Sequence, residues 1–168
     1  MAMFKIAKYP DSILRKTAQP VAEFKADLKQ LADDMSKVMY QDDGIGLAGP
    51  QISKSLRLFV VGQGHGNYKA YVNPEITFFS KDKISSEEGC LSLPKIFGSV
   101  TRAKKIHIKY QDLDGQPIKE KLKGFEAIVA QHEFDHLNGI LFIDRAETIT
   151  QGQEILDSLK KEINDKIK

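Results

Sequence analysis

Between about Ala22 and Gln41, apolar residues recur at four- and three-residue steps. Phe24, Leu28, Leu31, Met35 and Val38 make one stripe, the pattern of a helix with one buried face. The stripe stops before Gly44–Gly49, a loop by composition. Leu56–Val61, Ala70–Asn73 and Ile106–Tyr110 are short β-branched and aromatic runs that read as strands. Asp114-Gly115 is a turn signal and predicts a hairpin between 105–113 and 116–123. A second helix is predicted from Phe125 to Leu137, terminated by Asn138-Gly139 because glycine tolerates the left-handed cap conformation. A third, from about Ile149 to Lys166, carries Ile155, Leu159, Ile163 and Ile167 four apart, so one face should dock. Strands in the middle with helices at both ends point to an α+β fold with mainly antiparallel sheet. The length of 168 residues suits one domain, 1–168.

Composition narrows the function classes. The 25 basic and 23 acidic residues leave a net charge of +2, which gives no reason to expect specific nucleic-acid or membrane binding. The one cysteine cannot form an internal disulfide, so it is reduced, metal-bound or paired with another chain, in keeping with a reducing compartment. Near the start, Lys5, Lys8, Pro10 and Asp11 interrupt the apolar residues, so there is no signal-peptide core. No stretch approaches the ~20 apolar residues of a membrane helix. The expected location is the cytoplasm, or an organelle matrix had an import peptide been removed.

The sharpest chemical signal is His132-Glu133-Phe134-Asp135-His136. On a helix, positions four apart share a face, so both imidazoles can reach one ion. Glu133 lies about 100° around from His132, where it can hold a water without ligating the metal. Phe125, Val129, His132 and His136 share a stripe, which turns the rings inward, where buried imidazoles need partners. The alternative is two histidines meeting a core face by coincidence. A catalytic metal usually takes three protein ligands and leaves one position open. The third could come from a distant His, Glu, Asp or Cys. Cys90 stands out in Glu88-Gly89-Cys90-Leu91-Ser92-Leu93-Pro94, where Gly89 permits close backbone approach and Pro94 should end strand pairing. A lone cysteine reads equally as a small buried hydrophobe.

Three segments in order, GIGLAGPQ (44–51), EGCLSLP (88–94) and QHEFDHLNG (131–139), resemble the signature motifs of peptide deformylases. PDSILRKTAQPV and GILFIDR also look like family segments, so the resemblance runs from about Tyr9 to Arg145. It implies mainly antiparallel sheets packed around a central helix carrying the HExxH motif, with an N-terminal and a C-terminal helix. The implied reaction is hydrolysis of the formyl group from the N-terminal formylmethionine of nascent polypeptides, releasing formate. Cys90, His132 and His136 match the family's metal ligands, and the implied cofactor is one divalent ion, natively Fe(2+), with Zn, Ni or Co able to substitute. Hydroxide generated at the ion would attack the formyl carbon. Glu133 matches the general base and acid. Gln51 and the Leu91 N–H match the groups that stabilise the oxyanion. Gly46 matches a loop position that holds Gln51 and lines the substrate channel. Ile45 and Gly89 match positions whose backbone pairs with an extended peptide. Phe125, Val129 and the edge of His132 could line a methionine pocket or be ordinary core.

The chain departs from the commonest family pattern at Gly49, where alanine is usual and glycine should loosen the loop carrying Gln51. Thr101 stands where proline is frequent, and Ser86 where an apolar residue is frequent. Arg102 is expected to anchor Glu88 and so fix the Cys90 segment, unless both are plain surface charges. His65 reads as a turn residue, and His107 as facing solvent from a strand. In relatives a C-terminal helix can dock on the ribosome. Here residues 150–168 hold four Lys and four Asp/Glu, so a solvated helix is expected, with weak docking through Lys160–Lys168 as the alternative. Two other functions compete. One is a metallopeptidase using Glu147 or Glu154 as third ligand. The other is non-enzymatic: a structural metal module, which would need a fourth protein ligand, or a binding scaffold that has lost activity.

Overall fold

The structure is a computed structural model that describes residues 4–168. Helix α1 spans Ala26–Gln41. It begins four residues later than the apolar stripe suggested, because Lys25 is still extended. Phe24 therefore belongs to the entering chain, and its ring packs beside Gly115 rather than along the helix face. Strands β1 (Gly46–Ala48), β2 (Leu58–Gly64), β3 (Asn67–Phe79), β6 (Lys105–Gln111) and β7 (Pro117–Lys123) form a five-stranded antiparallel sheet in the order β1-β2-β3-β6-β7. The expected hairpin is present, its register running from Lys105↔Lys123 to Gln111↔Pro117.

Strand β2 explains why a continuous apolar run was needed. Successive side chains point to opposite faces. Leu58 and Val60 pack with Leu28, Met35 and Met39 of α1 on one side of the sheet. Phe59 and Val61 pack on the other side with Val129 and Ala130 of helix α2 (Phe125–Leu137). Nine of the 13 residues of α2 are buried, around most of its circumference, which makes it the central helix of the fold.

A second sheet, β4 (Lys83–Cys90), β5 (Leu93–Ala103) and β8 (Thr148–Gln151), is antiparallel in the order β4-β5-β8. Leu93, Ile96 and Val100 of β5 close a core with Leu14, with Phe142 of the one-turn helix α3 (Phe142–Arg145) and with Leu156 of α4 (Gln153–Ile167). Three expectations are corrected here. Pro94 does not end pairing, because it lies just inside β5. Gly44–Gly49 is not all loop, since it supplies β1 and the start of a 3-10 turn, Gly49–Ile52. The C-terminal helix is not 149–166, because 148–151 pair with β5 and the helix starts at Gln153. His65 sits in the β2–β3 turn at φ 54°. His107 points away from the core formed by Ile106 and Ile108, and its ring lies tilted against Phe78 with centroids 4.5 Å apart. No described helix is long and apolar enough to cross a membrane.

Candidate active site

The site forms where α2 passes between the two sheets. Its helix ends in a Schellman motif: Gly139, at φ 71°, donates to His136 O, and Ile140 donates to Asp135 O. A side chain at 139 would also strike the Arg15 carbonyl. One turn before that cap, His132 and His136 stand above one another with ring centroids 5.2 Å apart. Cys90 reaches them from the end of β4, with Sγ 3.4 Å from His136 Nε2. One ligand atom from each of Cys90, His132 and His136 lies within 4.8 Å of the other two. Glu147 and Glu154 are not in this group; Glu147 instead accepts a hydrogen bond from Thr101.

The surroundings fit a cation. Glu133 is buried, and its Oε2 has no hydrogen-bond partner among the described residues. A sulfur and two imidazole nitrogens are donors suited to iron, zinc, nickel or cobalt. The second nitrogen of His132 is held by Glu88, with Nδ1 2.8 Å from Glu88 Oε1, which leaves Nε2 as its coordinating atom. Glu88 in turn takes two hydrogen bonds from Arg102, at 2.6 and 2.9 Å. Arg102 also donates to Asp135, which accepts two more from Arg145. The expected Arg102–Glu88 pair is thus present, and it extends to a four-member array of alternating charge. Asp135 was passed over in the sequence because it occupies an unspecified position of the motif.

These neighbours set the local proton affinities. Burial pushes Glu88 up, but the hydrogen bonds from His132 and Arg102 outweigh it and hold the carboxyl at about 2. Burial pushes Glu133 up to about 7, with the His132 charge opposing only part of the effect. Burial lowers His132, yet its bonds to Cys90 and Glu88 raise it well above 6.5. His136 is held well below that value by burial and then by the nearby His132 and Arg102 charges.

A cavity of about 780 Å³ opens onto this cluster. Gln51, Leu91 and Glu133 line it together with Cys90, and so do Ile45, Gly89, Phe125 and Val129. Phe125 is 62% exposed, so it belongs to the rim and not to the inward stripe, whereas Val129 is buried. Ile128, unremarked in the sequence, lines the cavity beside them, as does Lys8 from the distant N-terminal segment. Ser86 lines it too and makes that wall more polar.

Gly46 lies against Glu133: a Cβ there would sit 2.6 Å from Oε1, so only glycine leaves room for the carboxylate. Gly49 does not loosen its loop. A Cβ would stand 2.6 Å from the Leu56 carbonyl and 2.8 Å from that of Lys54, so the glycine lets the loop close more tightly.

Comparison with known proteins agrees. The polypeptide deformylase family model matches residues 3–152. The chain belongs to the peptide deformylase family. It is 44% identical to the peptide deformylase of Thermotoga maritima over 163 residues, 97% of this chain and 96% of the relative. It is 42% identical to that of Chromobacterium violaceum, with 96% of each covered. The crystal structure of the Thermotoga maritima enzyme superposes with a TM-score of 0.85, covering 88% of this chain and 100% of that one. A Plasmodium falciparum peptide deformylase superposes with a TM-score of 0.87 at 39% identity, 96% of each chain covered. A Synechococcus elongatus deformylase in complex with actinonin gives 0.83 at 35% identity, covering 86% of this chain and 79% of that one. The chain is therefore a hydrolase of the class that removes N-formyl groups from new polypeptides.

Proposed function

We propose that the whole chain is one deformylase domain acting in the cytoplasm on formylmethionine at the start of nascent chains. The observation that carries the mechanism is the meeting of three ligand atoms within 4.8 Å at a cavity also lined by Glu133, whose Oε2 has no hydrogen-bond partner among the described residues. Cys90, His132 and His136 would hold one divalent ion, Fe(2+) in the native protein, with Zn, Ni or Co able to replace it. When bound, the ion supplies Lewis-acid activation of water and of the formyl oxygen.

The remaining chemistry belongs to the chain. Glu133 takes a proton from the attacking water and passes it to the leaving amine. Gln51 Nε2 and the Leu91 N–H donate to the oxyanion that develops on the formyl oxygen. Both β1 and β4 are edge strands, and both border the cavity. An extended peptide can therefore hydrogen-bond through the Ile45 and Gly89 backbones, a mode indifferent to sequence past the first side chain. Val129, Ile128 and the His132 edge offer apolar surface to methionine, with Phe125 at the rim. The last turns of α4 offer at most weak contact with the ribosome.

The test is formate release from formyl-Met-Ala, set beside cleavage of an unformylated peptide. Formate from the first substrate alone is expected, together with loss on chelation and recovery on adding Fe(2+) under anaerobic conditions. Glu133→Gln should cut kcat by about 10²–10⁴-fold while metal content stays the same. Cleavage of internal peptide bonds would instead identify a metallopeptidase.

A further inference from the structure

Gln51 and Leu91 come from different parts of the chain, yet their proposed task requires a fixed separation. Gln51 is buried and its amide is oriented from both ends. Oε1 accepts the Ala48 N–H at 2.9 Å, and since an amide nitrogen cannot accept, this alone dictates which end faces Cys90. At the other end Nε2 donates to Ser92 Oγ at 3.2 Å, leaving its second hydrogen for the Cys90 side, where Sγ lies 3.4 Å away. Ser92 is completely buried.

The same two residues are joined again through the backbone. Ala7 N–H donates to Gln51 O at 2.7 Å, and Tyr9 N–H donates to Ser92 O at 2.9 Å. Between them, Lys8 Nζ donates to Leu91 O at 2.7 Å. The segment 7–9 thus straps the Gln51 turn to the Leu91–Ser92 turn by three consecutive residues.

We propose that Ser92 is a positioning residue that aims the Gln51 amide, and that the Ala7–Tyr9 strap, through Lys8, holds the Leu91 turn at the matching distance. This rests on the oxyanion roles proposed above for Gln51 and Leu91. Ser92 acts through Gln51, so its loss matters only while Gln51 is present. Lys8 acts on geometry and not on substrate affinity, although the residue lines the cavity.

The experiment is a double-mutant cycle in the zinc-loaded protein, with formyl-Met-Ala as substrate and zinc content and Tm recorded for each variant. Ser92→Ala is expected to lower kcat about tenfold with KM within about twofold, a part of the 10²–10³ that a lost oxyanion donor costs. In a Gln51→Ala background it should cost nothing further. Equal losses in both backgrounds, or a loss that merely tracks zinc content, would overturn the proposal. Lys8→Met should lower kcat several-fold with KM unchanged, and Lys8→Arg should restore it. A rise in KM alone would assign Lys8 to substrate attraction and remove the strap from the proposal. Independently of activity, the side-chain ¹H–¹⁵N signals of Gln51 should exchange slowly in the native protein and rapidly in Ser92→Ala. Absence of formate release from the native protein would defeat the functional reading, while the amide signals would still decide whether Ser92 holds Gln51.

Discussion

Individual side chains in this site are constrained by groups that contribute no chemistry themselves. Gly46 is one. Its replacement by alanine would drive a methyl into Glu133 Oε1, and the carboxylate would have to swing away. A displacement of about 1 Å at a reacting group costs about 10²-fold in rate. Gly46→Ala is therefore expected to lose about that much in kcat while keeping its metal and nearly all its stability, as formate assays and thermal melts would show. Arg102 is the second case. It compensates buried Glu88 and Asp135 at once, so Arg102→Ala leaves two buried carboxylates short of a partner. Breaking a buried pair typically costs about 3–5 kcal/mol. Chemical denaturation should report a loss of that order, and metal affinity should fall about 10–100-fold because Glu88, which holds the His132 ring, loses its own anchor. Unchanged stability and metal content would make Arg102 a surface charge in effect, contrary to its place in the array.

At the scale of elements, α2 and the β4–β5 hairpin bring the ligands together, and α4 does not take part. Its buried Leu156 packs with Leu14, Phe142 and Val100, away from the cavity. Leu156→Ala should destabilise by about 2–4 kcal/mol through the cavity it leaves, with kcat per folded molecule unchanged. Urea unfolding beside activity at low temperature separates the two. The elements also show how much was readable beforehand. The helices α1 and α2 and the β6–β7 hairpin announced themselves because each carries a local period or a turn dipeptide. The β4–β5 hairpin did not. Residues 83–90, KISSEEGC, form an edge strand beside the cavity with little apolar alternation. Its pairing is decided by β5 and not by its own composition. Likewise β8 was merged into the last helix, since four residues paired to a neighbour carry no signal of their own.

Over the whole molecule, side-chain contacts tie distant segments together. Arg15, from the N-terminal region, pairs with Asp144 of α3, which also accepts the Leu141 N–H. Burial pushes Asp144 up, but the hydrogen bonds from Arg15 and Leu141 prevail and lower it below its ordinary value of 3.8. A carboxyl with a depressed folded-state pKa contributes stability above its unfolded value, and that contribution is lost as pH falls through the folded one. The stability gap between the native protein and Asp144→Asn should therefore be constant near neutrality and shrink as pH drops below 3.8. Denaturation curves at stepped pH would reveal it, and a gap that widened in acid would contradict this sign. Because the pair is partly solvent-exposed, the gap itself should be modest.

The sequence alone determined the helix that carries His132, Glu133 and His136, since their spacing and the Asn138-Gly139 stop act within a few turns of chain. Its motifs also carried the likeness to deformylases, and with it Cys90 and Gln51. Only the tertiary structure decided that Cys90 Sγ lies 3.4 Å from His136 Nε2, that Glu88 turns the His132 ring, and that Ser92 and a strap from residue 7 to 9 hold Gln51. The physical reason is distance along the chain. Periodicity and turn chemistry report on neighbours a few residues apart, whereas these contacts join residues some forty or more positions apart, through two sheets packed on one helix.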